Sequence, residues 1–291
     1  MHEIPEPTPV TEPKPIPPRG HWLVRTARAL LIEHRLPTSV ATALDRLAIQ
    51  SGFPYKTVVV SDPEGGLGPA RFRVRKQSSD PFFVAEVFAE RVYSPPGYEI
   101  CESDVIIDVG ANIGSFAIFA ARRARRSRVI AIEPTHESFS LLKRNIKHNR
   151  LENISVERVA IGDATGPVTM HLSDTGTGHH SVDTVLAGQS SHTETVPGLT
   201  MADIFSKYNI DICNVLKLDC EGAEFPILES LSPMLAARIQ RIALEYHTKS
   251  TPSKREQSDA LARRLLDLGF TIDSYTDVQN TNRGMLFARQ A

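Results

Sequence analysis

The chain has 291 residues, 41% apolar and 23% charged, enough for one large core with an accessory segment. Its 33 Lys and Arg nearly balance 34 Asp and Glu, so no net field draws it to nucleic acid or to anionic membrane, and neither is expected as a partner. Cys101, Cys213 and Cys220 are too few and too irregular for a disulfide framework or a zinc site, and they fit a reducing compartment.

Residues 1–20 carry seven prolines and few large apolar side chains, the composition of a disordered tail. Two helical patterns follow within 21–50: Leu23, Ala27, Leu30 and Leu31, then Val40, Leu44 and Leu47. TVVV at 57–60 and RFRVR at 71–75, parted by a Gly/Pro-rich turn, predict a hairpin, and PFFVAEVFAER predicts a helix over 81–91. Residues 21–92 are thus expected to form a small helical and hairpin extension, with the catalytic domain at 93–291. No apolar run approaches the roughly 18 residues of a membrane span and the N-terminus lacks a secretory pattern, which predicts a cytoplasmic protein.

From residue 104 strands and helices alternate. Strands are expected at 104–109, 128–132, 154–161, 213–218 and 240–246, and helices at 114–125, 136–149, 200–208, 223–231 and 257–268. A β segment near 167–172 precedes a polar loop over 174–197, and strands at 270–275 and 284–289 close the chain. This order predicts an α/β fold with a mostly parallel sheet covered on both faces. No helix separates the last two strands, so an antiparallel hairpin should end the sheet. Arg122, Arg123, Arg125, Arg126 and Arg128 fall at a helix C-terminus, where cations are favoured, and read as a solvated helix end.

The first strand of this series runs into Asp108-Val-Gly110-Ala-Asn112-Ile-Gly114 and a helix, a turn whose backbone N–H groups can approach a nucleotide closely. A dinucleotide fold would place glycine where Asn112 stands, so pyrophosphate and a nicotinamide oxidoreductase lose support. Asp108 is placed to receive an ammonium or to organise the loop. The second strand ends in Glu133, which can accept from both ribose hydroxyls, and the third in Gly162-Asp163, where Asp163 can accept from an adenine amino group. Aminoacyl end, ribose and adenine together describe S-adenosylmethionine.

A second motif, KLDCEGAE, brings Asp219 and Glu221 to another strand end, and Glu245 and His247 follow on the next strand. DVGANIG, the EP pair at 133–134, the GD pair at 162–163 and above all KLDCEGAE resemble the FkbM family of S-adenosylmethionine-dependent methyltransferases, over roughly residues 93–247. The resemblance implies a Rossmann-like seven-stranded methyltransferase sheet with an antiparallel last strand. It also implies methylation of a hydroxyl on a sugar, polyketide or other small secondary metabolite. By position, Asp108, Gly110, Asn112 and Gly114 would form the methionine-end loop, Glu133 the ribose contact and Asp163 the adenine contact. Asp219 and Glu221 would face the methyl group and the acceptor.

Methylating an alcohol requires removal of its proton. His247 is the expected base, since its ordinary pKa lies nearest neutrality, with Asp219 orienting it or holding the acceptor hydroxyl. Alternatively Asp219, Glu221, Glu245 and His247 supply oxygen-rich ligation to Mg²⁺. Glu245 and the loop residues His179, His180 and Ser181 are the expected acceptor contacts. Transfer to nitrogen, carbon or RNA, and a cofactor-binding pseudoenzyme, are the alternatives. A homodimer through the N-terminal extension stays open.

Overall fold

The computed structural model describes residues 54–62, 64, 66–126, 128–172, 192–248, 254–277 and 282–290. The expected tail, the helical patterns of 21–50, and His179, His180 and Ser181 lie outside them. Strands β1 (Tyr55–Val60) and β2 (Ala70–Arg75) form the expected hairpin, with Val58 opposite Phe72. Helix α1 (Asp80–Ala85) has Pro81 in its first turn, where no N–H is needed. The single helix expected over 81–91 instead widens into a π turn at Glu86–Glu90, which stops at Arg91 with φ +54°. The hairpin has no core of its own. Phe72, Val74, Val84 and Phe88 pack with Ile106, Phe116 and Phe119, and Phe88 meets Phe72 and Phe119 edge-on at 5.5 and 5.4 Å.

The alternating region gives β3 (Ile106–Val109), α2 (Ser115–Arg123), β4 (Val129–Ile132), α3 (His136–His148), β5 (Ile154–Glu157), β6 (Ala160–Ile161), β7 (Gly166–His171) and β8 (Thr193–Leu199). Then come α4 (Met201–Lys207), β9 (Val215–Leu218), α5 (Glu224–Ser230), α6 (Pro233–Ala236), β10 (Arg241–His247), α7 (Lys254–Asp267), β11 (Phe270–Asp277) and β12 (Arg283–Gln290). Seven strands make one sheet in the order β5-β4-β3-β9-β10-β12-β11, in which β12 runs antiparallel to both neighbours. The closing hairpin is as expected, but the last strand lies inside and β11 takes the edge. Burial explains the choice: Leu286, Phe287 and Ala288 of β12 are buried, whereas β11 exposes Thr271 and Ser274.

Strands β3, β4 and β9 are buried throughout, and alternate residues feed the two faces. Ile107, Ile130 and Leu216 join the core under α4, α5 and α7; Ile106, Val129 and Val215 join the core under the hairpin, α2 and α3. Among the described residues no helix is long and apolar enough to cross a membrane.

Three expectations are corrected. The strand foreseen over 154–161 breaks after Glu157, because Ala160 and Ile161 pair with Gly198 and Leu199 in a separate three-stranded sheet, β6-β8-β7. Thr193–Leu199, whose residues 193–197 were expected in the polar loop, is the middle strand of that sheet. Arg122 and Arg123 are not a solvated helix end: both guanidinium groups hold Asp62, and Arg122 also donates to the Gly68 carbonyl, anchoring the β1–β2 connection to α2. Arg125 and Arg126 are exposed as expected.

Candidate active site

Strand β3 is flanked by β4 and β9, so the direction of strand succession reverses beside it, and ligands of open α/β sheets bind outside the carboxyl ends at such a point. Both motif strands end there in register, with Asp108 opposite Lys217 and Val109 opposite Leu218. The turns that follow touch. Gly110 has φ +76°, and a Cβ on it would sit 1.8 Å from the Asp219 carbonyl oxygen, so only glycine lets the two turns meet. Gly114, at φ +91°, opens α2 and lies so near Leu142 that a Cβ would stand 2.6 Å from Cδ1. Asn112 takes φ +49°, a conformation its short polar side chain tolerates.

Of the residues singled out in the sequence, Gly110, Asn112, Glu133, Asp219, Glu221, Glu245 and His247 line one cavity of about 260 Å³. Ile132, Val159, Ile161 and Met170 supply an apolar wall beside them. Glu133 Oε2 accepts from the Asn112 N–H at 2.9 Å, and Oε1 accepts from the Thr135 N–H and hydroxyl at 2.9 and 2.6 Å. Three of its roughly four lone-pair sites are taken, leaving room for one ribose hydroxyl where the sequence suggested two. A glycine turn closed against the Asp219 turn, an acceptor carboxylate and an apolar wall fit an S-adenosyl group.

Two residues work behind the cavity wall, and one stands apart. Asp108 is fully buried and receives an ammonium from the chain itself: Lys217 Nζ lies 3.0 Å from its Oδ1. The same ammonium donates to the carbonyls of Gly110 at 2.8 Å and Val109 at 3.3 Å, which fixes the turn from beneath. Burial alone would lower the Lys217 pKa, but Asp108 and then Asp219 outweigh it and raise it. Gly114 shapes the start of α2. Asp163 is exposed and is not part of the cavity lining, whereas Ile161 two residues earlier is.

At the far side of Asp219 the site is crowded with acids. His247 Nδ1 lies 3.3 Å from Glu224, and Nε2 lies 3.6 Å from Glu221 and 4.0 Å from both Asp219 and Glu245. Burial disfavours the imidazolium, yet Glu221, Glu224 and Asp219 prevail and lift its pKa to about 10. This corrects the expectation of a neutral base: His247 holds its proton at neutral pH. Burial would raise the Asp219 pKa, but Lys217 and His247 carry it below the ordinary value. Glu245 goes the other way, raised by burial and by Asp219 against the pull of His247 and Arg283.

Sequence reasoning missed four participants, three of them from segments distant from the motifs. The Tyr93 hydroxyl lies 2.7 Å from Asp219 Oδ2 and 3.0 Å from Glu245 Oε2. The one phenolic proton is thus shared between two carboxylates, which draws Asp219 and Glu245 together at the mouth of the turn. Arg283 Nη1 bonds Glu245 Oε1 at 3.0 Å. Glu86, on the π turn, lines the cavity with a pKa raised to about 8 by burial and then by Glu245. Glu224 accepts from the N–H groups of Cys220 at 2.7 Å and Gly222 at 2.8 Å, which holds the turn carrying Glu221, at φ +53°, in its left-handed conformation. A signal for Glu224 existed, since it lies inside KLDCEGAE. Tyr93, Glu86 and Arg283 sit in no motif.

A hard cation could draw on Asp219, Glu224 and His247, whose candidate ligand atoms lie within 4.8 Å of one another. Both Glu224 oxygens already accept backbone N–H groups, and Glu221 and Glu245, expected among the ligands, are not in that group. The donor set is that of a hydrogen-bonded turn.

The methyltransferase FkbM domain matches residues 108–272, more than half of the chain. The chain is 28% identical over 196 residues to the 31-O-demethyl-FK506 methyltransferase FkbM of Streptomyces tacrolimicus, covering 57% of this chain and 74% of that protein. It is 26% identical over 245 residues to the AMB antimetabolite synthetase AmbE of Pseudomonas aeruginosa, covering 71% of this chain but spanning only 11% of AmbE. It is also 26% identical over 152 residues to the hexuronic acid methyltransferase AglP of Haloferax volcanii, covering 52% of this chain and 59% of that protein.

Proposed function

The chain belongs to the FkbM methyltransferase family of S-adenosylmethionine-dependent enzymes, and on that premise we propose that it methylates a hydroxyl oxygen of a small or glycan-like acceptor. The observation that carries this reading is Asp219, a carboxylate on the cavity wall kept ionised between Lys217 and His247. Two relatives lend support through their names, one a 31-O-demethyl-FK506 methyltransferase and one a hexuronic acid methyltransferase.

When bound, the cofactor supplies a methyl group activated by sulfonium. The Gly110–Gly114 turn and Glu133 would hold it, and Ile132, Val159, Ile161 and Met170 would keep water from it. Asp219 does the proton work. Its Oδ2 is occupied by the Tyr93 hydroxyl, so Oδ1 is the oxygen left to accept from an acceptor hydroxyl. A depressed pKa does not disqualify it: as the new C–O bond forms the hydroxyl oxygen becomes far more acidic than a carboxylic acid, and an ionised carboxylate suffices to take its proton. His247 remains an imidazolium, helps to keep Asp219 ionised and lies 3.6 Å from Glu221. Phe82, Phe83 and Val87, also on the wall, offer an apolar seat for the body of the acceptor.

The test is to incubate the protein with S-adenosylmethionine and a panel of hydroxylated macrolides, polyketides and sugars, reading S-adenosylhomocysteine release and the methylated atom by mass spectrometry and NMR. A methyl ether supports the reading. A product methylated on nitrogen or carbon replaces it.

A further inference from the structure

Arg75 lies outside the span matched by the family and is buried, yet it is the most heavily bonded side chain around the glycine turn. Its Nε and Nη2 each donate to Asp80 at 2.9 Å, and Nη1 donates to Ser138 Oγ at 3.3 Å and Glu137 Oε2 at 3.4 Å. Nη2 also donates to Asn112 Oδ1 at 3.1 Å. The hairpin reaches the turn a second time through Asn145, fully buried, which pairs with both backbone groups of Arg73 and donates to the Ile113 carbonyl at 2.9 Å.

One consequence follows from donor chemistry alone. A guanidinium only donates, so the atom of Asn112 facing Arg75 is the amide oxygen, and the amide nitrogen points the other way. Asn112 lines the cavity, and its own N–H is already bound to Glu133, the carboxylate assigned to the ribose. An ion pair with Asp80 and a bond to Ser138 leave the guanidinium little freedom to turn, so the orientation of the carboxamide is set before any ligand arrives.

We propose that Arg75 is a positioning residue for the cofactor, holding the Asn112 carboxamide so that its N–H₂ group is presented to an oxygen acceptor of the bound S-adenosyl moiety. The inference rests on the methyltransferase reading and extends the cofactor site to the β1–β2 hairpin. Arg75 acts through Asn112 and touches no reacting atom.

The experiment is a double-mutant cycle read as S-adenosylhomocysteine affinity by calorimetry, with melting temperatures recorded for each protein. Arg75→Lys keeps a cation for the buried Asp80 and so protects folding, but loses the planar fork that reaches Asn112. Asn112→Gly removes the carboxamide at a position whose φ glycine adopts freely. Each single substitution should weaken binding about tenfold, the effect of one hydrogen bond, and Arg75→Lys should have no further effect in the Asn112→Gly background. Wild-type affinity in Arg75→Lys, or an equal penalty in both backgrounds, overturns the positioning role. Failure of the wild-type protein to bind S-adenosylhomocysteine overturns instead the cofactor reading beneath it, and the proposal with it.

Discussion

His247 Nδ1 stands 3.3 Å from Oε1 of Glu224, a carboxylate with no exposed surface. Glu221 first, then Glu224 and Asp219, make the imidazole a cation built into the site, with a folded pKa near 10 against an ordinary value of 6.5. A raised folded pKa stabilises fully below the unfolded value and is lost as pH rises through the folded one. Between pH 6 and 10 the wild-type protein should therefore lose stability, on the order of 3 kcal/mol, that a His247→Gln protein does not lose. Urea midpoints across that range measure the difference. Parallel curves for the two proteins would mean that His247 is not held as a cation.

Tyr93 joins the two carboxylates of opposite tendency, Asp219 and Glu245, through one hydroxyl. Tyr93→Phe keeps the ring that packs edge-on to Phe116 at 5.5 Å and removes only that bridge. Two half-buried acids lose a partner, which should cost about 1–3 kcal/mol. Thermal melts of the two proteins measure it, and an unchanged melting temperature would show the bridge to be dispensable.

Gly110→Ala meets both a left-handed backbone and a Cβ placed 1.8 Å from the Asp219 carbonyl. The two motif turns must separate. We expect a loss of about 2 kcal/mol or more in stability and no detectable S-adenosylhomocysteine binding by calorimetry. Near wild-type affinity would contradict the contact between the turns.

Glu86 tests the acceptor end. Its folded pKa, near 8, exceeds the ordinary 4.5, so its contribution is complete below the ordinary value and is lost as pH rises through 8. Glu86→Gln, neutral at every pH, should be more stable than the wild-type protein at pH 9 by on the order of 2 kcal/mol, with a smaller difference at pH 6. Denaturation at the two pH values decides it. Equal differences at both would place the carboxyl in solvent.

The parts of the site legible in the sequence are those written locally. DVGANIG and KLDCEGAE show an apolar strand, a break and a helix within a few residues, and the glycine that the structure requires at 110 is visible because no other residue fits a left-handed turn against a neighbouring backbone. The strands β3, β4 and β9 were legible because burial on both faces demands a continuous apolar run. What was not legible depends on partners remote in sequence. Asp62 makes Arg122 a buried anchor, 60 residues away, although its helix position reads as a solvated end. His247 reads as a base when only its ordinary pKa is known; Glu221 and Glu224 reverse that, and their approach is a property of the folded turn. Thr193–Leu199 hid behind Pro197 and a polar composition, because proline usually argues against a strand, though here Pro197 stands opposite Pro167.

On the proposed reading, the turn after β3 and the carboxylate after β4 hold S-adenosylmethionine. Parallel calorimetric titrations with S-adenosylmethionine and NAD, on the wild-type protein and on Glu133→Ala, test it most directly. The account predicts micromolar binding of S-adenosylmethionine alone, weakened about tenfold or more in the variant by the loss of one charge-assisted hydrogen bond and of the anchor for Asn112. Binding of NAD in its place, or S-adenosylmethionine affinity undiminished in Glu133→Ala, would contradict it.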